Sequence, residues 1–366
     1  MLTFIGFGIY GYKGITIEII ETLKKCDVIY VERFTSFIHD TDIEKIKELT
    51  NSKKEKVKIA PRWLIEDGKE ILNKSANNDV VILTYGDPFI ATTLHELYVR
   101  AKKKSINIKT IHGVSGIYSS IGEIGLHNYK FGRTTTIMSE PQSAISVYNT
   151  VFDNLQAGNH SLILTEYNQH EDEIFYLNPQ KIFKMLLDVE KEIRYNVFDN
   201  ETYIIVASRI GCKDQKIVSG KINSLTKITF GNGPHCIIIP GFLHFTEIDA
   251  LTTLYKNMDN PTDNCKKIRN ISVNMLERYI PKAKQAVQQL RYLLNNQQKE
   301  MLNDKRDNKN VKNKGMNQVI DNAEYYIIDA ERFFRQNKLE LAVLSIGYAE
   351  GLIDAIRFQK NINPWT

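Results

Sequence analysis

Between residues 2 and 113 strand-like and helix-like runs alternate, and this constrains the fold more than any other feature of the chain. LTFIGFG (2–8), DVIYVE (27–32), VVILTYG (80–86) and INIKTIHG (106–113) are short apolar runs that read as strands. ITIEIIETLKKC (15–26) sets Ile19, Ile20 and Leu23 at helical spacing with Thr16 as a candidate N-cap. IEKIKELTN, EDGKEILNKSAN and TTLHELYVRAKKK read as further helices. Such alternation predicts a mostly parallel sheet covered on its faces by helices. From about residue 115 to 260 the pattern changes: TTTIMS, HSLILTEY, TYIIVASRIG and PHCIIIPG predict strands, and 144–157, 179–190 and 246–257 predict helices. The fold class is therefore α/β, as two successive α/β units at 1–114 and 115–262.

Strand signals vanish beyond residue 266, which predicts an all-α bundle over 266–366. Met275, Tyr279, Ala283, Val287, Leu290 and Leu294 form a helical stripe, with Pro281 as its point of kinking. Residues 297–315 are polar and lysine-rich and predict a solvated linker. Two further runs split at Gln336-Asn337-Lys338 predict an αα-hairpin. Tyr326, Ala330, Phe333 and Phe334 would form one apolar face, and Leu341, Leu344, Ala349, Leu352 and Ile356 a second. Ala342, Ser345, Gly347 and Gly351 would let the helices approach closely. Charge divides the same way: residues 266–366 hold 18 Lys+Arg against 11 Asp+Glu, leaving 30 against 32 in the rest. The body is thus not built to grip nucleic acid, whereas the basic tail suits docking on a protein or an RNA. A helical domain with no part in the chemistry is the plainer expectation for it.

No run approaches the roughly 18 apolar residues of a membrane span, and MLTFIGFGIYGYKG lacks the basic start and cleavage site of a signal peptide. Cys26, Cys212, Cys236 and Cys265 are widely spaced, with no His at metal-ligand spacing, so a reducing cytoplasm and no metal site are expected.

The chemistry should lie at strand carboxyl ends, where open α/β sheets place their ligands. Gly6–Gly11, Gly86-Asp87-Pro88, Glu166, Arg209 and Pro234-His235 occupy such positions. GFGIYG matches G-x-G-x-x-G at Gly6, Gly8 and Gly11, and Glu32 ends the next strand, the spacing of a dinucleotide fingerprint. An NAD-dependent oxidoreductase is accordingly one reading. Against it, Tyr12-Lys13-Gly14 intervene before the helix, so no helix N-terminus faces a pyrophosphate. A ligand without phosphates that needs close backbone approach fits better, and S-adenosylmethionine is such a ligand. Asp87 would accept hydrogen bonds from its amine or ribose, or else cap the helix after Pro88.

LTFIGFGIYG, CDVIYVERFTS, LTYGDPFIATTLHEL, IHGVSGIYSSIGEIGLHNYKFGR and PHCIIIPGFLHFTE together resemble the tetrapyrrole methylase superfamily, and within it the diphthine synthase family, over most of residues 1–250. Gly116 departs from that pattern, standing where the family reads Ser-Ile directly. The resemblance implies two methylase-type α/β units with S-adenosylmethionine in the cleft between them. It implies a cofactor pocket of Ile9, Asp87, Ile90, Ser115, Gly116, Thr165, Ile210 and His235. It also implies methylation of the amine of a 3-amino-3-carboxypropyl-histidine on translation elongation factor 2, by attack of the amine on a sulfonium methyl. A cytoplasmic homodimer completes the implied picture. No residue presents itself as the catalytic base. A corrinoid-precursor methylase of the same fold is the alternative. AEYYIIDAERFFRQNKLELAVLSIGYAEGLIDAIRF is similar to a small archaeal helical domain of unknown function.

Overall fold

Four of the predicted strands, and one more, pair into a fully parallel sheet. The computed structural model describes residues 1–35, 38–51, 56–170, 173–268, 271–301 and 310–365. The chain divides into one unit of residues 1–268 and another of 269–366. In the first unit β1 (Leu2–Gly6), β2 (Val28–Glu32), β3 (Val57–Ala60), β4 (Val80–Thr84) and β5 (Ile108–Ile111) run in the order β3-β2-β4-β1-β5. Successive residues face opposite layers, as a strand requires. Phe4, Tyr30 and Ile82 pack with Leu64, Ile71 and Leu97 of α3 (Arg62–Asp67), α4 (Lys69–Ser75) and α5 (Leu94–Lys103). Ile5, Ile29 and Val81 pack with Ile19, Leu23 and Ile43 of α1 (Ile17–Lys25) and α2 (Asp40–Thr50). Thr16 caps α1 through its hydroxyl, 3.3 Å from the Ile19 N–H. Strand β3 escapes the sequence reading because VKIA is an edge strand whose middle residues are exposed.

The second sheet is mixed. It joins β6 (Thr135–Ile137), β7 (Ser161–Thr165), β10 (Tyr203–Ser208), β11 (Lys216–Lys221), β12 (His235–Ile239) and β13 (Lys256–Asn257) in the order β13-β11-β10-β12-β7-β6. A hairpin of β8 (Tyr167–His170) and β9 (Glu173–Tyr176) stands apart from it. The pairs β11–β10, β10–β12 and β12–β7 are antiparallel. One face carries α7 (Pro141–Gln156), α8 (Pro179–Ile193) and the short α9 (Ile222–Leu225), through Val147, Phe183 and Ile222 against Val206 and Ile237. The other carries α6 (Gly116–Ile124) and α10 (Phe245–Thr253), through Ile121 and Leu251 against Ile205 and Ile238. This unit continues past residue 262. The Asn264 side chain bonds the Tyr203 N–H and the carbonyls of Tyr203 and Pro240, and Cys265 and Ile268 pack on the core.

An ion network fixes α10 to the preceding turn. Glu247, wholly buried, accepts from Lys130, His160 and the backbone N–H of His127 and His244. Burial pushes its carboxyl up, but these donors more than offset that and hold it at about 2.

The second unit is the expected three-helix set: α11 (Ile271–Met301), α12 (Asn310–Arg335) and α13 (Leu339–Lys360). Three expectations need correction. The predicted linker is helical at 297–301 and 310–315, and the first of these, QQKEM, consists of good helix formers; its centre, 302–309, lies outside the described residues. The buried stripe of α11 starts at Leu276 and Ile280, not at Met275 and Tyr279, one residue round the helix. On α13, Leu341 and Leu344 face outward, while Ala342, Ser345, Ile346, Ala349 and Ile353 are buried. The small residues at 342 and 345 thus make the contact, and Gly347 and Gly351 face open space.

At the carboxyl ends of β1, β4 and β5 the backbones of Gly6, Gly86 and Gly113 nearly touch. A Cβ on Gly6 would lie 2.5 Å from both the Gly113 nitrogen and the Gly86 carbonyl oxygen, and one on Gly113 would lie 2.6 Å from the Gly6 oxygen. Gly113→Ala should therefore destabilise the first unit by about 3 kcal/mol. Gly122→Ala, in the exposed interior of α6 with nothing within 4 Å, should stabilise it by about 0.5–1 kcal/mol. Hydrogen exchange of the β4 amides across a urea series measures both, and equal effects would refute the close-approach account.

Candidate active site

The first sheet directs the carboxyl ends of its strands toward one place, and the glycines let their loops meet there. Gly8 and Gly86, both at positive φ (77° and 68°), exchange backbone hydrogen bonds at 3.0 and 3.1 Å. The G-x-G loop thus pairs with the Gly-Asp-Pro loop and is not an anion nest. A short 3-10 turn at Gly11–Gly14 follows, and α1 opens only at Ile17.

A cavity of about 340 Å³ opens beside this junction. Loops after β4, β5, β7 and β10 supply it. So does the amino end of β12, since its antiparallel course brings His235 level with Ser208 and Cys236 level with Leu164. The antiparallel pairing explains why a residue at a strand's start belongs with residues at other strands' ends. A broader depression of about 660 Å³ near Glu123, Gln215 and Leu254 lies by the β11–β13 edge, where no such ends converge.

Of the residues expected to contact a cofactor, Asp87, Ile90, Ser115, Gly116, Thr165, Ile210 and His235 line the cavity. Ile9 does not. It is 2% exposed and sits behind the wall, its side chain 3.4 Å from where a Gly116 Cβ would be and 2.8 Å from that of Gly211. Asp87, its side chain 8% exposed, accepts from the Phe89 N–H at 2.9 Å and pairs with His112 Nδ1 at 2.7 Å. It therefore caps the turn after Pro88, not a helix, because α5 begins only at Leu94. Ser115 precedes α6 and makes no side-chain capping bond, so its hydroxyl stays available to the cavity. Gly116 opens α6, with ordinary contact space above it. The Thr165 hydroxyl donates to the His235 carbonyl at 2.9 Å, and Ile210 lies buried in the adjoining core. His235 is 6% exposed with Nδ1 2.8 Å from the Ser208 hydroxyl. Burial, then the Arg209 charge, lowers its pKa to about 4, so the ring is neutral at pH 7.

Other candidates turn elsewhere. Glu32, the acid of the dinucleotide reading, is fully buried and accepts from the Phe34 and Thr35 N–H groups and the Thr84 hydroxyl. Desolvation raises its pKa, and no ribose can reach it. Arg33 pairs with Asp40 and Arg133 with the Thr150 hydroxyl. Arg209 lines the cavity but is held by Asp214 at 2.6 Å and by the Phe230 carbonyl at 3.0 Å. Sequence reasoning missed Phe34, Arg62, Tyr85 and Tyr167 in the lining. Tyr85 lies within the alternation of VVILTYG and read only as strand. Tyr167, whose hydroxyl is 2.8 Å from the Arg33 carbonyl, is 134 residues away from it in sequence and gave no signal. Among the described residues no cluster of His, Cys, Asp or Glu is arranged to hold a metal, and no helix is long and apolar enough to cross a membrane.

Against known proteins, residues 1–226 match the family model of tetrapyrrole (corrin/porphyrin) methylases, and residues 278–362 match a family of unknown function, DUF357. The chain is 36% identical over 261 residues to a diphthine synthase of Methanocaldococcus jannaschii, covering 70% of this chain and 100% of that one. It is 37% identical over 265 residues to the diphthine synthase of Methanococcus vannielii, with the same coverage. A crystal structure of a candidate diphthine synthase from Entamoeba histolytica superposes with a TM-score of 0.62 at 31% identity, over 70% of this chain and 99% of that one.

The buried, neutral His235 carries a testable consequence. Its folded pKa lies below the ordinary value, so in the interval between them the unfolded chain binds the extra proton. This contribution to stability is complete above about pH 6.5 and is lost as pH falls from about 6.5 to about 4. Between pH 7 and pH 5 the wild type should lose about 2 kcal/mol more than His235→Gln in denaturant titrations. Parallel pH profiles would show the imidazole to be solvated.

Proposed function

We propose a reaction from one premise: the chain belongs to the tetrapyrrole methylases and, within them, to the diphthine synthases, and it is a methyltransferase. Its acceptor is the amine of a 3-amino-3-carboxypropyl-histidine on translation elongation factor 2, and its methyl donor is S-adenosylmethionine. The observation that carries this reading is the cavity where the glycine-pinned loops of the first sheet meet the antiparallel β7, β12 and β10 of the second.

The residues present fit such a donor. The wall is largely apolar (Ile90, Ile117, Leu164, Ile210), which suits an adenine ring, while Ser115 and Thr165 offer polar atoms at its edge. The first-strand loop offers no helix N-terminus for a phosphate, and the donor has none. Asp87 would hold the donor's amine or ribose hydroxyls through its free lone pairs, with Phe89 and His112 fixing the carboxylate in place. When bound, the cofactor supplies an activated methyl group on a sulfonium.

What the chain must add is alignment and a dry site. The acceptor amine must arrive without its extra proton. Among the described lining residues the two carboxylates are already engaged, Asp87 by the Phe89 N–H and His112 and Glu166 by the Ser139 N–H and hydroxyl. Burial pushes the Tyr85 and Tyr167 hydroxyls upward, so they stay protonated, and His235 is too weakly basic. Deprotonation is therefore assigned to water. A corrinoid acceptor is the second reading, resting on the wider family alone. We also propose a homodimer in the cytoplasm. Tyr129 and Phe245, packed against His127 and His244, and Phe242, beneath Lys130, are exposed and offer apolar surface for a second copy.

The matching diphthine synthases are covered over their full length by 70% of this chain, and residues 278–362 match a separate family, so the helical unit is proposed to be dispensable for methyl transfer. Elongation factor 2 carrying the aminocarboxypropyl intermediate, incubated with this chain and S-adenosylmethionine, should gain mass in steps of one methyl group. A chain ending at Ile268 should give the same gain, and native mass spectrometry of the enzyme should show two copies. No gain from an enzyme that binds the donor would reject the acceptor.

A further inference from the structure

Arg62 differs from the other cations near the cavity. It lines the cavity from the first position of α3, and its guanidinium lies 5.1 Å from the centre of the Phe34 ring. Among the described residues its ion-pair partner is Glu66, at 3.9 Å, and its side chain is 62% exposed. Among the described residues no hydrogen bond engages it. The Arg209 guanidinium, by contrast, is taken up by Asp214 and backbone carbonyls, and Arg33 is turned to Asp40. An arginine stacked on an aromatic ring, with its donors unspent, is set to receive a planar carboxylate.

Its place in the sheet separates it from the donor's pocket. Arg62 follows β3, the edge strand of β3-β2-β4-β1-β5, and Phe34 follows β2. Asp87 follows β4, and Ser115 and Gly116 follow β5. At about 4.8 Å per strand, Arg62 starts roughly 10 Å from the β4 end, where Asp87 lies, and where Gly116 N and Ser115 Cα come within 3.7 and 4.0 Å of the place a Gly86 Cβ would take. Thr35, Thr92 and Thr93 line the same cavity.

We infer that Arg62 holds the carboxylate of the acceptor side chain and so sets acceptor affinity in a subsite distinct from that of the methyl donor. This rests on the proposed reaction, whose acceptor carries both an amine and a carboxylate. The donor carries a carboxylate too, and the experiment separates the two. With the full-length chain and modified elongation factor 2, Arg62→Gln should raise the KM for the factor about ten- to hundredfold. Its kcat should stay within about threefold, and Arg62→Lys, which keeps the charge but not the planar fork, should recover only part of the loss. The affinity for S-adenosylhomocysteine, read by calorimetry, should be unchanged in both variants. An unchanged KM in Arg62→Gln would overturn the inference. So would a tenfold loss of S-adenosylhomocysteine affinity, which would assign Arg62 to the donor's carboxylate. A wild-type chain that binds S-adenosylhomocysteine but methylates no factor would overturn the reaction and the inference together. An active wild type paired with an unaffected variant overturns the inference alone.

Discussion

The cavity depends on three backbones being allowed to touch. Gly6, Gly86 and Gly113 end three adjacent parallel strands, and a side chain at the first or last would collide with its neighbours' backbone. Without that approach the loops after β1, β4 and β5 would splay, and Asp87 and Ser115 would no longer face the same cavity. The reciprocal bonds between Gly8 and Gly86 close the junction, each glycine taking the left-handed conformation that other residues avoid. The glycine motif is thus a device for packing loops against one another. Its likeness to a dinucleotide fingerprint ends at Glu32, whose carboxylate is spent on the backbone that follows it.

The second sheet adds its part by a different route. Its antiparallel β12 starts where β7 and β10 end, so one position of the sheet gathers Thr165, Ser208 and His235. His235 bonds Ser208 and is buried beside Arg209, which keeps the ring neutral. The segment GLHNYKFG (125–132) serves the fold and not the cavity. Its His127 and Lys130 converge with His160 on Glu247, locking α10 against the loop before β6.

Much of this was legible in the sequence, for reasons that particular elements show. The buried central strands β1, β2 and β4 are apolar throughout, so their runs stand out. Strands β3 and β11 do not: VKIA carries a lysine at an exposed middle position, and KIVSGK is bounded by lysines and broken by Ser219-Gly220. Helix α6 hid behind Gly116, Gly122 and two serines, although Ile117, Ile121 and Ile124 keep its spacing. In the helical unit the pattern gave the helices but misjudged their faces, since Leu341 and Leu344 outweigh Ala342 and Ser345 in any hydrophobicity reading. In the cavity, Asp87 was found by its place at a strand end. Ser115, Thr165 and Ile210 came through family resemblance, and Tyr167 and Arg62 came through neither, because only tertiary packing brings their loops together.

The central claim is that this cavity holds the donor, with Asp87 as its charged contact. Calorimetric titration with S-adenosylhomocysteine and, separately, with NAD tests it most directly. The account predicts micromolar binding of S-adenosylhomocysteine and none of NAD. It predicts at least a tenfold loss in Asp87→Asn, which keeps an oxygen for the Phe89 N–H and so keeps the fold. Binding of NAD alone, or an Asp87→Asn variant with undiminished S-adenosylhomocysteine affinity, would contradict it.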